Sequence, residues 1–146
     1  ILDLKTETAI RETFRIDGLY KMTEDDYVNG KVFKDSISHS FYPIDLHREG
    51  KSIHQVFLKE DVVASIPLRA LIPKRSKNFI VAGRCVSGDR MANSALRVQA
   101  SCMGMGQAAA AVAVLASKEN ISPSDVAITD VRKLLKEHDA ILPKLV

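Results

Sequence analysis

The sequence predicts a fragment of mixed structure, of the α+β or α/β class, in which a β-rich part precedes a strand, a loop and a helix. Apolar and polar residues alternate in several short segments before about Asp61, as they do in half-buried strands. Phe79–Ala82 is a continuous apolar run closed by Gly83, which is typical of a strand covered on both faces. From about Ser101, small apolar residues predict a long helix. The chain accordingly divides into three predicted parts: a β-rich segment (1–65), the strand–loop–helix segment (66–117) and a helical tail (118–146).

The first part contains the predicted strands and one short helix. Four segments have strand character: Leu4–Asp17, Asp35–His47 with an interruption at Pro43, Ser52–Leu58, and Val62–Leu68. Thr23 is followed by three acids, Glu24, Asp25 and Asp26, which is the signature of a capped helix start. We expect this helix to end near Gly30.

The predicted long helix carries unusually little side-chain bulk. Ser101 is its candidate N-cap, and Gly104 and Gly106 each cost a helix about 1 kcal/mol relative to alanine. Because alanines follow, we expect a neighbour or a ligand to approach this helix closely. Two further helical signals come after it: a cap with proline at the first helical position in Ser122–Asp125, and a last helix over Asp130–His138.

The composition and the charge exclude some classes of partner. The 146 residues carry 21 basic and 18 acidic side chains, and the net charge of +3 is scattered, so we expect no nucleic-acid partner. Cys102–Ala116 is apolar but shorter than the ~20 residues that cross a bilayer, so we expect a buried helix and no membrane span. The start of the chain has no signal-peptide pattern, which favours a cytoplasmic location.

A set of motifs in the second half of the chain carries a family resemblance. The motifs are Ile66-Pro67-Leu68-Arg69, Leu71-Ile72-Pro73, Asn78 to Ser87, Ser94 with Arg97-Val98, Cys102-Met103, and Gly106-Gln107-Ala108-Ala109. Together they resemble the C-terminal flavin-site segment of bacterial FAD-dependent oxidoreductases of the glutathione-reductase-like superfamily, some of whose members carry the label xanthan lyase. Weaker similarity runs from Glu12 through His47 to Pro143 and so covers most of the chain.

The resemblance implies that the chain is a C-terminal fragment of a flavoenzyme. A complete member would also carry an N-terminal Rossmann unit, with a Gly-x-Gly-x-x-Gly turn after a strand. Gly104–Ala109 has a similar pattern but no convincing strand before it, so we do not assign it to a dinucleotide. By resemblance, the full-length protein binds FAD and a small-molecule substrate. We expect the fragment alone to be inactive, to retain little FAD, and to be open to self-association through the surface that the missing half would cover.

The resemblance also assigns cofactor contacts. In the superfamily, the loop after the strand passes the ribityl chain and pyrophosphate, and a helix N-terminus points at the N1/O2 edge of the isoalloxazine ring. Hydride transfer to the flavin places negative charge at that edge, which helix amides stabilise. Here the amides would come from about Ala100 to Met103. The residues assigned to cofactor binding are Gly83, Arg84, Gly88, Asp89, Ser101, Cys102 and Met103.

Three charged residues have competing interpretations. Asp89 either accepts a hydrogen bond from a ribityl hydroxyl or caps its own loop. Arg84 stands where many relatives have an acid, so it faces a phosphate or forms an internal ion pair. Arg97 is the candidate catalytic residue, because by resemblance it holds or protonates the substrate; a buried ion pair with Asp89 or Asp45 is the alternative.

The cysteines and histidines add little to this assignment. Cys85 and Cys102 do not have the spacing of a redox pair, and in apolar surroundings they act as small hydrophobic residues. The histidines show no metal-ligand spacing, and His39 and His47 are weak acid/base candidates. Two functions of other classes stay open: a non-catalytic binding module with a flavoprotein-like shape, and a polysaccharide lyase, which no motif supports.

Overall fold

The computed structural model describes residues 12–46 and 54–145, and these form an α+β arrangement. Along the chain the elements are α1 (Glu24–Val28), β1 (Ser36–Ser40), β2 (Ile44–Leu46), β3 (His54–Val56), β4 (Ala64–Pro67), α2 (Arg90–Leu96), α3 (Gln99–Glu119) and α4 (Ile128–Glu137). A short 3-10 turn, Leu68–Ala70, follows β4. The predicted mixture of helices and short strands is confirmed for this part of the chain.

The strands pair into two antiparallel ribbons. β1 pairs with β4, with Ser38 opposite Ile66 and an irregularity in the register just before Ser38. β2 pairs with β3, with Ile44 opposite Val56. Pro43 lies between β1 and β2, as the sequence predicts, because proline has no amide hydrogen to give to a strand partner.

The predicted strand segments of the first part are present in shortened form. Three of them contain strands: Asp35–His47 (β1 and β2), Ser52–Leu58 (β3) and Val62–Leu68 (β4). Leu4–Asp17 differs, because residues 12–17 form no strand and the rest of that segment lies outside the described residues. Its described end joins the second half of the chain through the Ile16 amide, which donates to the Cys85 carbonyl (2.9 Å).

α1 forms because its N-terminus is fully capped. The Thr23 hydroxyl accepts from the Asp26 amide and the Asp26 carboxylate accepts from the Thr23 amide, both at 3.1 Å, which is a reciprocal capping box. The Tyr20 hydroxyl and the Lys31 ammonium group also donate to the Asp26 carboxylate, both at 2.7 Å. Gly30 follows the helix with a positive φ of 62°, so the predicted helix and its end are confirmed.

The prediction of a buried strand at Phe79–Ala82 is wrong. The segment has no regular secondary structure and joins no strand in the described part of the chain, and the Val81 amide donates to the Leu71 carbonyl (2.9 Å). The Phe79 side chain is 56% exposed. An apolar run becomes a strand covered on both faces only where a sheet and its flanking layers enclose it, and the described residues place no strand beside this run.

α2 occupies a region that was predicted as a loop. The Asp89 carboxylate accepts a hydrogen bond from the Ala92 amide (2.8 Å), and a helix of seven residues follows. α3 begins at Gln99 and not after Ser101, because the Ser101 hydroxyl bonds into the core instead of capping its own helix. The alternative interpretation of Asp89, a local cap, is thus present as the N-cap of α2, whereas the helix itself was not predicted.

The predicted last helix, Asp130–His138, is confirmed as α4. The cap predicted at Ser122–Asp125 is wrong, since these residues form a turn and α4 begins after Ala127. The Ala127 side chain gives no cap to α4. Val131 and Leu135 of α4 are buried in the common core with α3.

α3 packs closely on β1 at Gly104. A Cβ atom placed on Gly104 would lie 3.0 Å from the Cβ atom of Ser38, which is tighter than ordinary contact. The missing side chain therefore lets helix and strand approach, as the sequence predicts. At Gly106, by contrast, a Cβ atom would meet no described atom within 4 Å.

By length and composition alone, α3 could also cross a membrane. The mean hydropathy of its 18-residue apolar window is 1.4, and 33% of that window is buried. The core helix of a soluble protein satisfies the same criterion, so this property does not assign the chain to a membrane.

Candidate functional site

The loop from Gly83 to Asp89 carries several of the predicted cofactor contacts. Gly83 has a φ of 89°, in the left-handed region that favours glycine. A Cβ atom on Gly83 would come no closer than 3.8 Å to a neighbour, the Cys102 sulfur. Backbone conformation and not crowding therefore requires glycine here. The Asn93 side-chain amide donates to the Arg84 carbonyl (3.1 Å) and joins this loop to α2.

Gly88 and Asp89 join the loop to α1. Gly88 forms a parallel bridge with Met22, and the Asp89 amide donates to the Met22 carbonyl (2.8 Å). The Asp89 carboxylate oxygens serve two helices: Oδ1 accepts from the Ala92 amide in α2, and Oδ2 accepts from the Glu24 amide in α1, both at 2.8 Å. Asp89 is thus the N-cap of α2, and it also accepts from the first amide of α1, whose own N-cap is Thr23; we call this double contact the shared cap. Its contact with a ribityl hydroxyl stays a prediction.

α3 begins with amides that have no partner within the helix. Val98 is the N-cap and its side chain makes no capping hydrogen bond. The Cys102 amide already donates within the helix, to the Val98 carbonyl (3.0 Å). The amides without a partner within the helix are therefore those of Gln99, Ala100 and Ser101, and not those of Cys102 and Met103; that any of them faces a flavin stays a prediction. Gln99 and Ala100 are exposed, so this helix end is accessible to an acceptor from outside.

The three side chains predicted as contacts in the first turns of α3 differ in exposure. Ser101 is buried, and its hydroxyl lies 2.8 Å from Ser40 Oγ. Cys102 is half-buried, and its thiol donates to the Arg97 carbonyl (3.3 Å). The Met103 side chain is 74% exposed. Of the three, Met103 has the most surface to offer to a ligand.

The side chain of Arg97, the predicted catalytic residue, is largely buried and forms hydrogen bonds with other residues of the chain. Its side chain is only 9% exposed. Nε donates to the Ser94 carbonyl (3.0 Å), Nη2 donates to the Asp45 carbonyl (2.9 Å), and the Asp45 carboxylate lies 4.0 Å from Nη2. These contacts join the turn between α2 and α3 to β2. The alternative interpretation, a buried pair with Asp45, is present, and a catalytic role stays a prediction.

The charge of Arg84 acts on the thiol at the start of α3. Burial raises the pKa of the Cys102 thiol, and the nearby positive charge of Arg84 opposes part of that rise. Cys102 is therefore a protonated thiol at neutral pH. Cys85 and Cys102 are both free thiols. In the described part of the chain, no group of three histidine, cysteine, aspartate or glutamate side chains could hold a metal ion.

Sequence reasoning missed a buried series of hydroxyl groups behind α3. The Tyr27 hydroxyl lies 3.0 Å from Ser40 Oγ, which in turn contacts Ser101. The signal that could have found it is the alternation of Ser38 and Ser40 in β1, because alternate residues of a regular strand share one face, here the face that contacts Gly104 and Ser101 of α3.

Two grooves on the surface could accept a ligand. One, of about 450 Å³, is lined by Thr23, Glu24, Asp25, Val28, Val56 and Asp89. Another, of about 420 Å³, lies between α3 and α4 and is mainly apolar, lined by residues that include Ala111, Val114 and Leu135. Of the predicted site residues, Asp89 alone lines either of these two grooves.

A protein-family model matches almost the whole chain. It is described as FAD dependent oxidoreductase, and it covers residues 1–135. No curated protein and no solved structure gives a significant match. Because the family match spans well over half of the sequence, this chain belongs to the FAD-dependent oxidoreductase family.

Proposed function

We propose that this chain forms the part of an FAD-dependent oxidoreductase that lies along the N1/O2 edge of the flavin and beside the substrate. The observation that carries the proposal is the N-terminus of α3, which begins at Gln99 with no side-chain cap from Val98. The motif resemblance supports a finer placement among bacterial flavoproteins of the glutathione-reductase-like superfamily.

The start of α3 suits the chemical demand of a flavin. FAD, when bound, accepts a hydride from the substrate, and negative charge then develops at its N1/O2 edge. The free amides of Gln99 and Ala100 and the positive end of the helix dipole would stabilise that charge. The first turn of α3 contains no acid that would oppose it. Val98 offers no internal acceptor, so an external acceptor meets no competition for these amides.

Arg97 stabilises the start of α3 through its side-chain hydrogen bonds. Its bonds to the Ser94 and Asp45 carbonyls hold the turn that leads into the helix. Because the Arg97 side chain is only 9% exposed and pairs with the Asp45 carboxylate at 4.0 Å, its contacts are with the protein itself. Arg97 therefore positions the helix.

We propose that the chain acts as one portion of a longer flavoenzyme. The pattern Gly104–Ala109, the nearest to a dinucleotide motif, lies inside α3 and does not follow a strand. The ADP portion of FAD would therefore be bound elsewhere, by a Rossmann unit. We expect the isolated chain to be inactive and to retain little FAD. Exposed apolar side chains such as Phe79 and Met103 would favour its self-association.

The experiment places a competing acid at the start of α3. Val98→Asp gives the helix its own carboxylate cap, which stabilises a helix by about 1 kcal/mol, and that carboxylate would compete with the flavin for the same amides. The FAD dissociation constant is measured by flavin fluorescence in the full-length enzyme. We expect FAD to bind about tenfold more weakly, as for a difference of about 1.4 kcal/mol.

The matched control is Ala127→Asp. Ala127 is the N-cap of α4 and likewise gives its helix no side-chain cap, so the new acid should stabilise α4 without changing FAD affinity. Unchanged FAD affinity in the Val98→Asp variant would remove the α3 N-terminus from the flavin site. A full-length protein that binds no FAD would favour the non-catalytic module, and flavin-independent cleavage of a polysaccharide would favour the lyase.

A further inference from the structure

A continuous series of hydrogen bonds runs from the segment after β1 to the first turn of α3. The Tyr27 hydroxyl donates to the Tyr42 carbonyl (2.8 Å) and lies 3.0 Å from Ser40 Oγ, and Ser40 Oγ lies 2.8 Å from Ser101 Oγ. Tyr27, Ser40 and Ser101 are each at most 2% exposed. The three side chains come from α1, β1 and α3, so the series joins these three elements at the start of α3. We call it the hydroxyl chain.

The end of the hydroxyl chain determines the direction of every donor in it. A carbonyl only accepts, so the single hydroxyl hydrogen of Tyr27 is donated to Tyr42. The Tyr27 oxygen accepts from the Tyr42 amide (3.2 Å) and therefore also accepts from the Ser40 hydroxyl. With its own hydrogen given to Tyr27, Ser40 accepts from Ser101. Each hydroxyl hydrogen thus points away from α3.

This donor order persists at neutral pH. Burial raises the pKa of the Tyr27 phenol, although its hydrogen bonds with Ser40 and Tyr42 offset part of that rise. The phenol therefore stays protonated and remains the donor to Tyr42. Ser101 in turn has no hydroxyl hydrogen left for a cofactor.

We infer that Ser101 is a positioning residue for the flavin edge and not itself a cofactor contact. Its hydroxyl, donated to Ser40, holds the first turn of α3 against β1 and with it the amides of Gln99 and Ala100. Tyr27 acts through the same chain from the opposite side of the core. The last step, from helix position to flavin, rests on the proposed function; the anchoring of α3 does not.

Two variants break the hydroxyl chain at opposite ends. Ser101→Ala removes the donor on α3, and Tyr27→Phe removes the acceptor of Ser40. The matched control is Ser65→Ala, because Ser65 is equally buried on β4 but bonds to Ser36 Oγ (2.9 Å) and the Lys31 carbonyl (2.8 Å). Hydrogen exchange at the amides that follow Ser101 is measured in the 146-residue chain. The flavin midpoint potential is measured in the FAD-loaded full-length enzyme.

We expect Ser101→Ala to speed amide exchange at Cys102 and Met103 by about fivefold to tenfold, as for the loss of one buried hydrogen bond. Tyr27→Phe should speed it by less, because Ser40 can still accept from Ser101 when its own donor bond to Tyr27 is lost. In the full-length enzyme, both should lower the flavin midpoint potential, because the displaced amides stabilise the reduced flavin less. Ser65→Ala should change neither quantity. If Tyr27→Phe fails to fold, Ser101→Ala alone decides the outcome.

Unchanged exchange in Ser101→Ala would overturn the anchoring role. Weaker FAD binding with unchanged exchange would show that Ser101 contacts the cofactor directly. A full-length protein that binds no FAD would contradict the proposed function alone, because faster exchange in the two chain variants would still establish the hydroxyl chain.

Discussion

Gly104 of α3 and Ser38 of β1 are so close that a Cβ atom on Gly104 would lie 3.0 Å from the Cβ atom of Ser38 and 3.3 Å from its hydroxyl oxygen. We predict that Gly104→Ala lowers the free energy of unfolding by about 1 kcal/mol. Overpacking costs about 1–3 kcal/mol, which exceeds the gain of about 1 kcal/mol in helix propensity. Urea unfolding of the 146-residue chain measures the difference.

Gly106→Ala is the control for that prediction. Its added methyl group would meet no described atom within 4 Å, so the helix propensity gain of about 1 kcal/mol should appear as increased stability. Equal stability changes in the two variants would contradict a steric limit at Gly104.

Asp89→Ala should destabilise the chain more than the loss of an ordinary N-cap. One carboxylate caps both α1 and α2, and each cap contributes about 1 kcal/mol, so we expect a loss of about 2 kcal/mol in urea unfolding. Asp89→Asn retains one acceptor oxygen and should lose about half as much. Asp125→Ala, at an exposed turn, is the control and should change stability by less than about 0.5 kcal/mol. A loss in Asp89→Ala as small as in that control would refute the shared cap.

The free energy of unfolding should fall at acid pH because the Asp26 carboxylate becomes protonated. Burial raises the pKa of Asp26, but hydrogen bonds from Lys31, Tyr20 and Thr23 outweigh it and leave the pKa below its usual 3.8. A carboxylate with a lowered pKa in the folded state stabilises the protein above pH 3.8, and this contribution is lost as the pH falls through the folded-state pKa. Unfolding experiments between pH 2 and 7 should therefore show a flatter acid limb, which is the fall in the free energy of unfolding towards low pH, for Asp26→Asn than for the wild type.

The neighbouring variant Asp25→Asn is a control for the acid limb. Asp25 is exposed, whereas Asp26 is buried within the capping box. The curve of Asp25→Asn should follow the wild type. An acid limb in Asp26→Asn as steep as in the wild type would place the acid sensitivity elsewhere.

Arg97→Lys tests whether Arg97 positions α3 or acts only on the substrate. A lysine keeps the charge but cannot reach the Ser94 and Asp45 carbonyls together, so we expect a loss of about 1–2 kcal/mol in stability. The control, Arg90→Lys, changes an exposed arginine that pairs with Glu12, and should cost less than about 0.5 kcal/mol. Lost turnover in Arg97→Lys with unchanged stability would support a catalytic role alone.

Local signals in the sequence predicted the elements that depend on few neighbours. The capping box at Thr23 and Asp26 contains both partners within one turn, so α1 was found together with its end. α4 was found because Val131, Leu134 and Leu135 repeat on one helix face. Pro43 ended a strand because its effect on pairing is intrinsic to proline.

The sequence predictions were wrong where residues distant in the sequence determine the local structure. The segment Phe79–Ala82 has the composition of a buried strand, but a strand also needs a partner, and no local pattern supplies one. Serine is a residue type that often caps helices, yet the hydroxyl of Ser101 forms its hydrogen bond with Ser40, which is far away in the sequence. The role of Asp89 towards α1 was likewise hidden, because the amide it accepts from belongs to Glu24.

The shared cap at Asp89 also bears on the order of folding. Glu24 and Asp89 are 65 positions apart, so the long loop between them must close before this contact exists. α1 has only five residues and would not persist as an isolated peptide. We therefore expect α1 to become stable only when α2 is in place, so that the two helices melt together as one cooperative unit.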